Sequence, residues 1–401
     1  MINERIKQAR LISGMTQSEV VAKLGEQGIK LTKAGLSKYE RGGSIPPPKI
    51  LLKLSKVLSV KTNYFLKDPT IDIRWLAYRK NVSLGKKKQE VIQAFATTVS
   101  EGQIWLHEKL YPNVTPSFPT RMNVTSFKRA ETAARKLREH WSLSDMPIES
   151  VTGIIEDRGG VVINYPSEKN DFHGLSGWAN KKYPVAIVCG QSPSDRCRFS
   201  LAHELGHLMM NCQGVSSKDE ENFAHRFAAA FIVPSAVAFR ELGERRRSLS
   251  FEELFVLKRK HGLSIQAWIR RALDLGIIKG GHYRRLNIEL SSRGWKREEP
   301  IQYRGEEIPT KLKQMTLRAF SEGIISAHKA EELCPAWKRD IQPTLSEKPI
   351  LYHSAIDAMK LSKEERNNLL EESAMIAEKV YSENPELYDF EALSDEDLID
   401  D

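Results

Sequence analysis

Inside the run RFSLAHELGHLMM, Arg198–Met210, stand His203, Glu204 and His207. Two imidazoles four residues apart share one face of a helix and can grip a single metal ion. A carboxylate beside the first of them is placed to take a proton from water that the metal polarises. Zinc (Zn2+) suits that chemistry, because catalytic zinc takes three protein ligands and leaves one position open. The third ligand must come from elsewhere in the chain. Fourteen residues beyond His207 stands Glu221, with Asp219 and Glu220 just before it and His225 one helical turn after it. That interval is long enough for a turn and a returning helix. On spacing alone Asp219, Glu220 and Glu221 all compete for the ligand position. His225 can orient a carboxylate, approach the metal, or simply pack. Because H-E-x-x-H arises by chance in about 1 of 100 average chains, its surroundings have to decide what it is for.

Those surroundings are two or three domains' worth of chain: 401 residues, 40% hydrophobic and 28% charged, the balance of a soluble globular protein. No apolar run approaches the roughly 18 residues that span a membrane, and the start MINERIKQARL carries no apolar leader, so a cytoplasmic protein is expected. The four cysteines form no CxxC pair and are expected to stay reduced. The net charge of +9 permits a polyanionic partner. It is unevenly spread: Lys86–Lys88 and Arg245–Arg247 are basic, whereas no Lys or Arg follows Tyr381 and the chain ends SDEDLIDD.

Stepping along the chain, 2–66 holds four or five short amphipathic segments, closed by Asp68-Pro69. A mostly helical stretch is expected over 71–110, then a Pro-rich loop, YPNVTPSFPTR, and a helix in SFKRAETAARKLREHW. GGVVINYP, FHGLSGWAN and YPVAIVCG have the β-branched runs and Gly, Pro and Asn punctuation of strands, expected to form a small, mainly antiparallel sheet. The histidine helix follows, then a second helix stopped by Pro234. From 249 onward the pattern is helical, interrupted near SSRGWKREEP.

In the N-terminal block Thr16 and Thr32 are good N-cap residues, and Val20, Val21, Leu24, Leu36 and Tyr39 supply apolar faces. Thr16-Gln17, Leu36-Ser37, Tyr39-Glu40-Arg41-Gly42 and the later prolines stand in the order seen in the Xre/Cro/C1-type helix-turn-helix family, which this block resembles. The resemblance implies a double-stranded DNA operator as partner and a dimer reading two half-sites. It brings Thr32, Lys33, Ser37 and Lys38 to the major groove, with Gln17 contacting backbone or base. LGEQGIKLT is longer than the family's usual turn.

RFSLAHELGHLMM followed by EENFAHRFAAAFIVP resembles the ImmA/IrrE family of zinc-dependent metallopeptidases. Ala224, Phe227, Ala228, Ala229 and Pro234 align with that family's second helix and put its ligand glutamate at Glu221, with His225 where an Asn is frequent. The resemblance implies zinc on His203, His207 and Glu221, with Glu204 as the general base. It also implies an edge strand that pairs with extended substrate, at Tyr183–Val188 or Leu175–Trp178. His173 is a candidate transition-state stabiliser, and Arg196 and Arg198 are expected to make structural ion pairs.

The expected architecture is multidomain. An all-α helix-turn-helix domain (1–67) and a helical connector (68–119) precede an α+β zincin-like metallopeptidase domain (120–280) and a helical C-terminal extension with an acidic tail (281–401). The expected function is a DNA-binding transcriptional regulator whose zinc endopeptidase cleaves a regulatory protein, a repressor or partner. The alternative is a repressor or antitoxin whose zinc domain binds a partner toxin, or senses a signal, without proteolysis. No membrane partner is expected.

Overall fold

A computed structural model describes residues 2–67, 70–76, 85–167, 172, 174–335 and 362. His173, Trp337, the acidic tail and most of the extension beyond 335 lie outside the described residues.

The chain begins with four helices, α1 (Ile2–Ile12), α2 (Gln17–Glu26), α3 (Lys33–Glu40) and α4 (Pro48–Val57), and a single 3-10 turn at Thr62–Tyr64. Ile6, Val20, Leu24, Leu36, Leu54 and Phe65 form their shared core. Thr16 and Thr32 cap α2 and α3 as their side chains suggest, and Glu19 completes a capping box with Thr16. The six residues between α2 and α3 are anchored by Ile29, which is buried in the same core.

A mixed α/β body follows. Its elements in order are β1 (Ile73–Trp75), α5 (Lys86–Leu110), β2 (Met122–Asn123), α6 (Phe127–His140), α7 (Val151–Asp157), β3 (Val161–Tyr165), β4 (Gly174–Ala179), β5 (Tyr183–Cys189), α8 (Ser194–Met209), β6 (Met210–Asn211) and α9 (Ser217–Ile232). Then come α10 (Ser235–Leu242), α11 (Phe251–His261), α12 (Ile265–Asp274), α13 (Gly280–Ser292), α14 (Lys311–Ser321) and α15 (Ala327–Leu333). Helix starts follow the serines: Ser126, Ser150, Ser216, Ser250, Ser264 and Ser326 each accept the amide three residues on.

The sheet runs β1-β4-β5-β3. β4 and β5 form a hairpin whose turn residues Asn180 and Lys181 both have positive φ, the conformation that matches the twist of paired strands. β3 departs from the antiparallel expectation, because it lies on the far side of β5 and runs parallel to it. The sheet is covered on both faces, which is why β5 is apolar throughout. Ile92, Ala96 and Ile104 of α5 meet Val161, Ile163, Val185 and Ile187 on one face. On the other, Val162, Ala186 and Val188 meet Leu201, Ala202 and Leu205 of α8.

Two expectations need correction here. Ile73–Trp75 is a strand, not part of a helical stretch; Ile71, Ile73 and Trp75 alternate with polar residues at the period of two that strands require. Neither proposed substrate edge is a free edge either. β5 is internal, and β4 is flanked by β5 on one side and β1 on the other, because the segment after the N-terminal helices folds back onto it.

α5 holds the N-terminal helices through its outward side. Arg5 makes two 2.6 Å bonds to Glu101, and Gln8 Nε2 donates to Thr98 Oγ1 at 2.8 Å. Arg198 is fully buried and its ion-pair partner is Glu307, at 3.2 Å, in the irregular segment before α14, whereas Arg196 is exposed. Glu307 also accepts the amides of Val151 and Thr152 at the start of α7. Glu156, near the other end of α7, accepts the amides of Thr310 and Lys311 at the start of α14. Carboxylates at helix N-termini are well placed against the partial positive charge there.

Burial pushes the Glu156 carboxyl up to about 7, against the opposing pull of those two amides. The folded protein therefore holds this proton more tightly than the unfolded chain, and this group's contribution to stability falls as pH rises from about 4.5 to about 7. Glu156→Gln stays neutral and can still accept an amide, so it is expected to flatten that part of the stability curve. Urea midpoints at about pH 5 and about pH 8 check this, the variant gaining on the parent at the higher pH.

Candidate metal centre

α8 and α9 lie against each other behind the sheet, with Leu201, Leu205, Leu208, Phe223, Ala224, Phe227 and Phe231 sealed between them and their neighbours. This packing leaves one polar point in an apolar interface. His203 and His207, one turn apart on α8, turn their Nε2 atoms to within 3.1 Å of each other. The Glu221 carboxylate of α9 closes the triangle, 3.2 Å from His203 Nε2 and 3.5 Å from His207 Nε2. Ligands about 2.1 Å from a tetrahedral ion are separated by about 3.4 Å, so the three donors are spaced as three corners of a zinc site. Two imidazoles and a carboxylate are also the donor types that zinc takes in catalytic sites. The residues present therefore fit the ion.

The acidic neighbours of Glu221 have other places. Glu220 Oε1 lies 3.5 Å from Nδ1 of His207, on the far side of the ring from Glu221. There it favours the tautomer with hydrogen on Nδ1 and a free lone pair on Nε2. Asp219 accepts from Ser216 Oγ at 2.7 Å in the first turn of α9. Arg121 donates to the carbonyls of His207 and Met210, holding the last turn of α8. His225 presents its ring to His203, centroids 4.4 Å apart, and stacks on Phe199 at 5.9 Å. Desolvation by its neighbours and the nearby His203 imidazole hold its pKa below the ordinary range, although the residue itself is exposed.

Glu204, next to His203 on α8, reaches toward the sheet while staying close enough to His207 to help raise its pKa. It is 4% exposed, and Ser176 Oγ of β4 donates to its Oε2 at 2.6 Å. Gly174 is required beside it, since a Cβ there would collide with the carboxylate. Ser176, Gly174 and Arg121 escape a reading of the sequence, because each meets the histidine helix from a distant segment with no motif of its own. Glu220 was visible only as a rival to Glu221.

The DNA-facing candidates are distributed differently. Thr32, Lys33 and Lys38 are exposed, and Ser37 is half-buried on the same helix α3. Thr32 already accepts the Gly35 amide at 3.1 Å, leaving its hydroxyl hydrogen to donate. Gln17 is oriented from within: its Nε2 donates to Glu40 at 2.8 Å, and Glu40 is in a buried pair with Arg10.

Desolvation lowers the His207 pKa, but Glu220, Glu221 and Glu204 outweigh it and raise it to about 9. Metal has to displace that proton, so zinc binding near pH 7 is expected to release about one proton and to tighten as pH rises toward 9. Calorimetry in buffers of different ionisation enthalpy measures the release. Glu221→Gln is expected to lose zinc affinity by more than about 100-fold, and Glu220→Gln by about 10- to 100-fold, read by competition with a chromophoric chelator.

Residues 6–65 match the family model described as helix-turn-helix, and residues 155–273 match the one described as IrrE N-terminal-like domain. The chain is 39% identical over 67 residues to the SPbeta prophage-derived uncharacterized HTH-type transcriptional regulator YonR of Bacillus subtilis (strain 168). That similarity covers 17% of this chain, and the chain spans 57% of the relative's length. Two modules thus stand in tandem: the chain carries a helix-turn-helix domain at its N-terminus and an IrrE N-terminal-like domain around the histidine helix.

Proposed function

We propose that the protein is a DNA-binding transcriptional regulator whose second domain is a zinc-dependent endopeptidase acting on a regulatory protein. The observation that carries the reading is the convergence of His203, His207 and Glu221 beside a buried carboxylate, Glu204. His203, His207 and Glu221 would hold the zinc, with Glu220 orienting His207. When bound, zinc polarises a substrate carbonyl and brings the pKa of water to about 7. Glu204, steadied by Ser176, accepts the proton of the attacking water and passes it to the departing amine. A protein substrate suits the tandem arrangement, since a peptidase tied to a DNA reader acts where its regulatory target sits.

At the other end α3 enters the major groove. Lys33 and Lys38 contact phosphates or guanine, Thr32 and Ser37 contact phosphates or base edges, and Gln17 meets the backbone from the start of α2. Pairs of chains read paired half-sites.

Glu204→Gln is expected to keep its zinc, measured by atomic absorption, and to lose cleavage of the target by at least about 100-fold. Cleavage that survives this change would refute the catalytic part; full zinc with no cleavage by the parent protein of any partner would leave a binding or sensing domain instead. For the DNA part, Lys33→Ala with Lys38→Ala should reduce the slope of log affinity against log salt by about 1.8, two phosphate contacts' worth. An unchanged slope would remove α3 from the interface.

A further inference from the structure

Extended peptides bind a sheet edge by adding a strand, with backbone hydrogen bonds supplying affinity and alternate side chains supplying specificity. The strand next to Glu204 is β4, through Gly174 and Ser176. The flank of β4 that faces away from β5 is taken by the chain's own β1. Ile73, Arg74 and Trp75 pair antiparallel with Ala179, Trp178 and Gly177. Asn180 N donates to Asp72 O at 2.8 Å, and Leu76 N donates to Ser176 O at 2.9 Å. In an antiparallel pair the bonded residues alternate, so Arg74 belongs to the same set as Asp72 and Leu76. The strand therefore runs from Asn180 toward Ser176, and toward the carboxylate that Ser176 holds.

We propose that β1 is an intramolecular pseudo-substrate: it covers the peptide-binding edge of β4, and the site takes an extended peptide from another protein only when β1 lifts away. This rests on the peptidase reading of the site. Three features support it. Ile73 and Trp75 pack on the α5 side of the sheet, whereas Leu76 packs with the cluster that contains α8. The side chains of Arg74 and Leu76 are thus presented on the face that carries Ser176 and Glu204, as a substrate's would be. β4 is also shaped for close approach: a Cβ on Gly177 would sit 2.8 Å from Arg74 O and 3.0 Å from Trp75. Finally, the attachment is slight. β1 has three residues against the six-residue β4–β5 ladder, Arg74 is exposed, and Ile73, Trp75 and Leu76 are only half-buried. Such a strand opens far more readily than the core strands.

Release is tied to the DNA-reading domain by one carboxylate. Glu101 accepts from Thr70 N at 2.9 Å and Thr70 Oγ1 at 2.8 Å, just ahead of β1, and from Arg5 of α1 at 2.6 Å. Docking of the N-terminal helices and coverage of the edge share this anchor. The peptide chemistry that fits is an extended segment with large apolar residues at alternate positions, as in Ile73 and Trp75.

A reversible lock tests the proposal in the full, zinc-loaded chain. Ile73 and Ala179 are directly opposite and outside the bonded set, the spacing that a cross-strand disulfide tolerates, and Ile73 packs on the side away from Glu204. The probe is a fluorescein-labelled peptide of sequence TIDIRWL, its capture followed by anisotropy. With I73C and A179C in a Glu204→Gln background, capture should be at least about tenfold tighter after reduction than when oxidised. Arg74→Pro, which cannot donate to Trp178, should bind more tightly than the parent. Equal capture by the oxidised and reduced forms overturns the proposal, whatever Arg74→Pro does. Labelled casein, offered to the same pair with Glu204 intact, separates the two readings. Redox-dependent capture without casein cleavage counts against the peptidase and still supports the covered edge.

Discussion

Bringing two imidazole nitrogens and a carboxylate within 3.5 Å of one another inside an apolar helix pair is costly, and the surrounding structure is arranged to hold that arrangement. α8 cannot rotate, because Leu201, Ala202 and Leu205 are locked against the sheet. α9 cannot slide, because its small and aromatic residues, Ala224, Phe227, Ala228 and Phe231, fill the seam with α8. Arg121 ties down the last turn of α8, and Glu220 fixes one imidazole from behind. The same helix turns Glu204 toward the sheet, where Ser176 donates to it. One helix thereby carries His203 and His207 to Glu221 and Glu204 to Ser176, and the sheet fixes the second contact as firmly as α9 fixes the first.

That dependence explains why the sheet is covered on both faces. α8 needs one face as its bed, and α5 covers the other with Ile92, Ala96 and Ile104. α5 is then more than a link between modules. It is part of the core of the second and the docking surface of the first, through Arg5, Gln8, Thr98 and Glu101. The bidentate Arg5–Glu101 pair is partly buried, so the two modules meet through a specific contact. The irregular segment before α14 works similarly: Glu307 meets Arg198 at the start of α8 while capping α7, and Glu156 returns the favour at α14.

Much of the site was legible in the residues themselves. The i, i+4 histidines, the adjacent glutamate and the returning helix follow from helical period, and Thr16 and Thr32 follow from the unpaired amides of a helix start. The short strand Ile73–Trp75 was not, because three alternating residues beside a long helical pattern carry little local signal, and pairing with β4 is what makes them a strand. The parallel placement of β3 was hidden for the same reason: strand order is a property of contacts far apart in sequence.

The sequence by itself determined which chemical groups are available and which of them share a helix, because side-chain type and helical period are local. Spacing alone left Asp219 and Glu220 as rivals to Glu221, which the family resemblance favours. The tertiary structure shows how the three differ, because successive residues on a helix point about 100° apart and α9 meets α8 along one line. It sent Glu221 to the two Nε2 atoms, Glu220 to the opposite nitrogen of His207, and Asp219 to the helix cap. It also decided that Glu204 is held by Ser176 and that the strand beside it is already occupied, since both contacts join segments whose meeting is set by how the sheet packs.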